Sequence, residues 1–149
     1  MTNRAVDDPG VSRIGIVELG DLCAGMRAGS LALFELVGSW VSTTDRGALQ
    51  RLFAEACHRH AWHADLWAQR YPTIPGQDVG AATAPHRARP AIVEKTQRVT
   101  WYRQALDDLV AELEALQSRV DPDLDPATVR TAELVAADAH AVLRRLDQI

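Results

Sequence analysis

Cysteine is scarce in this chain, which has only Cys23 and Cys57 among 149 residues. Two thiols cannot build the disulfide framework that small secreted domains depend on, so two reduced thiols in the cytoplasm are expected. A long apolar run is missing too. The longest, "LALFELVGSWV" from Leu31 to Val41, is interrupted by Glu35 and too short to span a bilayer. The first residues, "MTNRAVDDPGVSR", are polar and acidic and lack the apolar centre of a signal peptide. No basic cluster exists either. The net charge is -4 and the basic residues are scattered, which leaves no electrostatic footprint for nucleic acid. No strand pattern and no internal repeat stands out. A soluble, cytoplasmic protein with no nucleic-acid or membrane partner is the expectation.

What is present reads as one globular domain. The length suffices for a core. The hydrophobic fraction of 47% and charged fraction of 24% are ordinary globular usage, which argues against wholesale disorder. The Ala- and Arg-rich composition is of the kind associated with high-GC bacteria. Residues 1–12 read as a flexible lead-in punctuated by "DDPG", and residues 13–149 as a single all-α, four-helix-bundle domain. The first helix is expected over about 13–43. "STTDRG" ends it, and Thr44 or Asp45 is placed to cap the second helix, about 46–71, which Pro72 stops. "PTIPGQDVGAATAPHRARP" follows, rich in Pro, Gly and Ala. A third helix is expected over about 91–120. "DPDLDP" breaks the chain, with Asp125 as cap and Pro126 at the first position of a fourth helix, about 127–149.

Two short connections and one long one suggest two antiparallel helical hairpins. A helix of ~25 residues is about 38 Å long at 1.5 Å per residue. A linker of ~19 residues stretches to roughly 60 Å at ~3.3 Å per residue. The linker can therefore cross over the whole bundle and deliver the third helix parallel to the second. An up-down-up-down bundle is the second choice. With this layout, and with "EACH" (Glu55 to His58) as a literal Glu-x-x-His, the chain resembles the ferritin-like superfamily, its small bacterial members in particular. The resemblance covers nearly the whole chain, in layout more than in motif. It implies a ferritin-like crossover, a di-metal centre built from a Glu on each of two helices and a Glu-x-x-His on each of the others, and oxidative chemistry.

Helical phase decides which of these residues face inward, at about 100° per residue. On the second helix Leu49, Leu52, Phe53, Ala56, Cys57, Ala64, Trp67 and Tyr71 form the core face. His60 lies near its centre and His63 toward one side. Arg51, Glu55, His58, Trp62, Asp65 and Gln69 face away. The first helix turns Leu19, Leu22, Cys23, Met26, Ser30, Leu33, Val37 and Trp40 inward. The third turns Val99, Tyr102, Leu106, Leu109, Val110, Leu113 and Leu116. The fourth turns Thr128, Leu134, Val135, Ala139, Val142, Leu143 and Leu146, with Asp138 on the edge. Glu35, Glu133 and His140 fall outside. The inward carboxylates of a di-iron site are thus incomplete, a departure from the ferritin pattern.

The inward polar set is His60, His63, Asp138, Tyr102, Ser30 and Cys23. Depth along the crossover bundle places His60, His63 and Asp138 in one layer near its middle. Two imidazoles and a carboxylate can hold iron or another divalent transition metal with positions open for water or substrate. His60, His63 and Asp138 are the metal ligands expected, with Tyr102 as catalytic neighbour. Glu35, Glu55 and His58 are a reserve set, used if the helical phase is wrong. The carboxylate could instead orient a histidine as general base, or the layer could be purely structural. Two functional classes stay open: a small metal-dependent oxidative enzyme acting on a small molecule in the bundle core, and a non-catalytic bundle binding a partner protein or ligand. Trp62 with Leu66 outside the second helix, and Gly20, Ala24, Leu31 and Gly38 behind the first, suggest a homodimer through these two helices.

Overall fold

The helix ends follow local chemistry. A computed structural model describes residues 14–73, 75–76 and 93–149, and every regular element among them is helical. The elements are α1 (Ile16–Val41), α2 (Gly47–Ala68), a single 3-10 turn (Lys95–Gln97), α3 (Arg98–Gln117) and α4 (Pro126–Leu146). The expected lead-in over 1–12, most of the Pro/Gly/Ala-rich segment, and positions 91 and 92 of the expected third helix lie outside the described residues. Asp125 caps α4 as its sequence position suggests. Its Oδ1 accepts from the Thr128 N–H at 3.1 Å, and Pro126 occupies the first turn. The cap expected for α2 is different. Arg46 holds that position with no side-chain bond, and the Thr44 hydroxyl donates back to the Trp40 carbonyl at 2.7 Å. The connection is so short that Thr44 closes α1 rather than opening α2. The Gln50 side chain does the same for the Val41 carbonyl, at 2.9 Å.

α1 and α2 form a close antiparallel hairpin. A Cβ on Gly38 would lie 3.0 Å from the Cys57 Sγ, so the missing side chain is what lets the two helices approach. Gly20 and Ala24 are buried as well. The row of small residues expected to face another chain therefore belongs at least in part to the contact with α2.

Ion pairs and hydrogen bonds between helices fix their directions. Glu18 near the start of α1 meets Arg119 beyond the end of α3 at 2.6 Å, and Thr43 after α1 accepts from Arg98 at the start of α3 at 3.0 Å. α1 and α3 are antiparallel. Arg46 before α2 reaches the Ile149 carbonyl at 2.7 Å, and Glu55 pairs with Arg145. α2 and α4 are antiparallel. Lys95 lies 3.5 Å from Asp45. The chain thus leaves α2 at one end of the bundle and starts α3 at the other, roughly 33 Å away at 1.5 Å per residue. α2 and α3 consequently run parallel.

The core contains Cys23, Val37, Trp40, Leu52, Phe53, Trp67, Tyr102, Leu106, Leu113, Ala132 and Val135, all nearly inaccessible. Burial follows the helical phase closely. Every outward residue named for α2 is exposed, and Leu49, Ala56, Ala64 and both inward histidines are buried. Leu19, Leu22, Leu33, Cys57, Val99, Leu134 and Leu143 are only half-buried at the margin of the core, whereas Ala132 is fully buried. Among the described residues no helix is long and apolar enough to cross a membrane.

Candidate functional site

The middle of α2 supplies three contributors to one polar layer: Arg59, His60 and His63. One turn of helix separates the two imidazoles, whose ring centroids lie 5.9 Å apart in an edge-to-face arrangement. α3 contributes Tyr102 and α4 contributes Asp138. His60 Nε2 and the Tyr102 hydroxyl are 2.7 Å apart. His63 Nε2 and Asp138 Oδ2 are 2.9 Å apart. Arg59 Nη1 donates to the other carboxylate oxygen, Oδ1, at 2.5 Å. The carboxylate accepts, so the hydrogen on His63 is assigned to Nε2 and its Nδ1 carries the lone pair.

Burial governs the electrostatics. His60 is pushed down to about 3, first by loss of solvent and then by the neighbouring His63. His63 is lowered as well. Burial outweighs the hydrogen bond and charge of Asp138, which act in the opposite direction, and Arg59 adds to the lowering. Burial raises the Tyr102 phenol, with Cys57 acting the same way and Arg59 against it. At neutral pH the layer therefore holds two neutral imidazoles and a neutral phenol. Its one carboxylate is balanced by one guanidinium, so no net charge is buried. The Nδ1 atoms of both histidines are buried without a hydrogen-bond partner among the described residues. Ala56, Leu106, Leu109, Ala139 and Val142 line the space around the polar groups, leaving a small cleft of about 10 Å³, room for a single water.

His63, Asp138, His60 and Tyr102 thus meet in one layer. His60 does not join His63 on Asp138 but turns to Tyr102. Ser30 stays out, since its hydroxyl donates to the Met26 carbonyl of its own helix at 2.9 Å. Cys23 is buried, with its thiol pushed up to about 12 by loss of solvent, Asp125 adding to the rise and Arg70 opposing it; it is no nucleophile at neutral pH. The reserve residues Glu35, Glu55 and His58 are all exposed. The Glu55 carboxyl is held below its usual range by its hydrogen bond with Arg145. Arg59 was not foreseen. Its position next to His60 on the edge of the core face, opposite the edge residue Asp138, is the signal that could have found it.

A metal ion implied by the resemblance does not fit this arrangement. Among the described residues no three His, Cys, Asp or Glu side chains are grouped to hold one. The carboxylate that would complete the set is paired with Arg59. Comparison with protein-family models, with curated proteins and with solved structures gives no match, so the functional reading rests on this geometry.

Proposed function

We propose that the chain is a ferritin-like four-helix bundle acting as a non-catalytic binding module in the cytoplasm, with His60, His63, Asp138 and Tyr102 as an internal polar layer. One observation carries this reading. Both Nε2 atoms and both carboxylate oxygens are bonded within the protein, around a space no larger than one water. A substrate has no room beside them. The binding surface is the outer side of α2, where Trp62 is 47% exposed, and the partner is a second copy of the chain. The test uses untagged protein. Light scattering should give a dimer mass that shifts toward monomer in Trp62→Glu, and metal analysis should find no stoichiometric metal. A monomer at all concentrations would overturn the partner.

A second reading, a metal-dependent oxidative enzyme, is favoured by the buried Nδ1 lone pair of the neutral His63 imidazole, which has no hydrogen-bond partner among the described residues. It requires Asp138 to leave Arg59. Stoichiometric divalent metal, lost in His60→Ala/His63→Ala, would establish it in place of the first.

A further inference from the structure

Aromatic residues make up only 5% of the chain. Nevertheless Trp101, Trp40, Phe53, Tyr102 and Trp62 join the two buried imidazoles in one connected set of rings. Centroids are 5.9 Å apart from Trp101 to Trp40 and 6.4 Å from Trp40 to Tyr102. The set continues from Tyr102 to His60 at 5.8 Å, to His63 at 5.9 Å and to Trp62 at 5.9 Å. Trp101 is half-buried and Trp62 exposed, whereas everything between them is buried.

Electron tunnelling falls off exponentially with separation, so rings nearly in contact exchange electrons far faster than separated ones. Indole and phenol are also among the most readily oxidised side chains. Tyr102 has one feature the indoles lack, a base 2.7 Å from its hydroxyl. A phenol that loses an electron becomes a very strong acid, and inside a protein it is oxidised readily only where a base takes the proton. With the His60 hydrogen assigned to Nδ1, the Tyr102 O–H donates to Nε2 and the acceptor is in place.

We propose that Trp101, Trp40 and Tyr102 form a route for one-electron oxidation that ends as a phenoxyl radical on Tyr102, with the phenolic proton transferred to His60 Nε2. The oxidant is a radical or oxidised metal complex at the surface. It takes one electron from the Trp101 indole and is reduced. Trp40 returns an electron to Trp101, and Tyr102 returns one to Trp40. The Tyr102 O–H bond breaks and an N–H bond forms on His60. The products are the reduced oxidant, a neutral phenoxyl and an imidazolium. Burial makes the His60 imidazole a weak base, but the oxidised phenol is a far stronger acid than the resulting imidazolium, so the proton moves this way. The Arg98 guanidinium, 5.6 Å from the Trp40 ring centre, disfavours positive charge there, so the hole passes on to Tyr102. The route from Trp62 crosses two imidazoles, which resist oxidation, and is slower.

Pulse radiolysis tests this on the whole protein, with the azide radical as oxidant of accessible indoles. Tryptophanyl absorption should decay as tyrosyl absorption grows, with a first-order rate independent of protein concentration. The growth should persist in Tyr71→Phe, vanish in Tyr102→Phe, and slow several-fold in Trp101→Phe but little in Trp62→Phe. In wild-type protein it should slow in heavy water, a readout that needs no variant. Growth that survives Tyr102→Phe, or is lost in Tyr71→Phe, overturns the radical site. Growth insensitive to Trp101→Phe overturns the route. Absence of an isotope effect overturns the proton transfer to His60.

Discussion

Acid should destabilise this fold through His60, and the size of the effect can be worked from its burial. In the unfolded chain the imidazole titrates near 6.5. In the folded protein it is pushed down to about 3. Between those values the unfolded chain binds a proton that the folded protein refuses. The stabilisation is therefore complete above about pH 6.5 and is lost as the pH falls toward 3. The slope is about 1.4 kcal/mol per pH unit, or about 2.5 kcal/mol between pH 7 and pH 4.5. That is a large part of a stability of ~5–15 kcal/mol. Urea unfolding followed by circular dichroism, at both pH values, measures it. Other groups titrate in the same range, so the comparison is with His60→Gln, which does not ionise and can still meet the Tyr102 hydroxyl. The variant should lose about 2.5 kcal/mol less than wild type between the two pH values. An equal loss in both proteins would refute the reasoning, because His60 would then take up its proton without unfolding the chain.

Three further outcomes follow from local geometry. Gly38→Ala gains about 1 kcal/mol of helix propensity but brings a Cβ to 3.0 Å from the Cys57 Sγ, and overpacking costs about 1–3 kcal/mol. It should lower the urea midpoint in wild type and raise it in a Cys57→Ala background. Asp125→Ala removes the cap of α4 and should cost about 1 kcal/mol in thermal unfolding, whereas Asp125→Asn should cost little. Asp138→Ala leaves His63 Nε2 without its acceptor and should cost about 1–3 kcal/mol. Asp138 acts to raise the His63 pKa, so its loss should move the imidazole titration seen by NMR to still lower pH.

Helical phase made the inward and outward sets readable. His60 and His63 fall on the apolar face of α2, and Glu55 and His58 on the opposite one, because burial selects one side of a 3.6-residue repeat. Residue counting along the helices also brought Asp138 to the level of His63. Counting fails where side-chain reach decides. Arg59 sits beside the core face, and only a long flexible chain brings its guanidinium to Asp138. Ser30 is inward and at the right level, yet its hydroxyl prefers the carbonyl one turn back. Small residues are equally ambiguous. Gly38 marks a close approach of two helices, but nothing local says whether the second belongs to the same chain.

The layer's position between the hairpins gives it a physical role whatever else it does. Among the described residues the backbones of the two hairpins approach closely only through α2 and α4, while α1 and α3 stay further apart. An open groove remains between α1 and α3, lined by Leu22, Met26 and Leu116. The register between hairpins therefore depends on long side chains. Apolar contacts alone tolerate a slip of one helical turn, about 5.4 Å, because the same kinds of side chain meet again. The polar layer does not tolerate it. Both His63 to Asp138 and His60 to Tyr102 link α2 to the other hairpin, and a slip leaves several buried polar atoms without partners at once. A matched set of buried hydrogen bonds adds little net stability over an apolar core but penalises every other register. Tyr102 and His60 are thereby held at hydrogen-bond distance, the geometry that transfer of the phenolic proton requires.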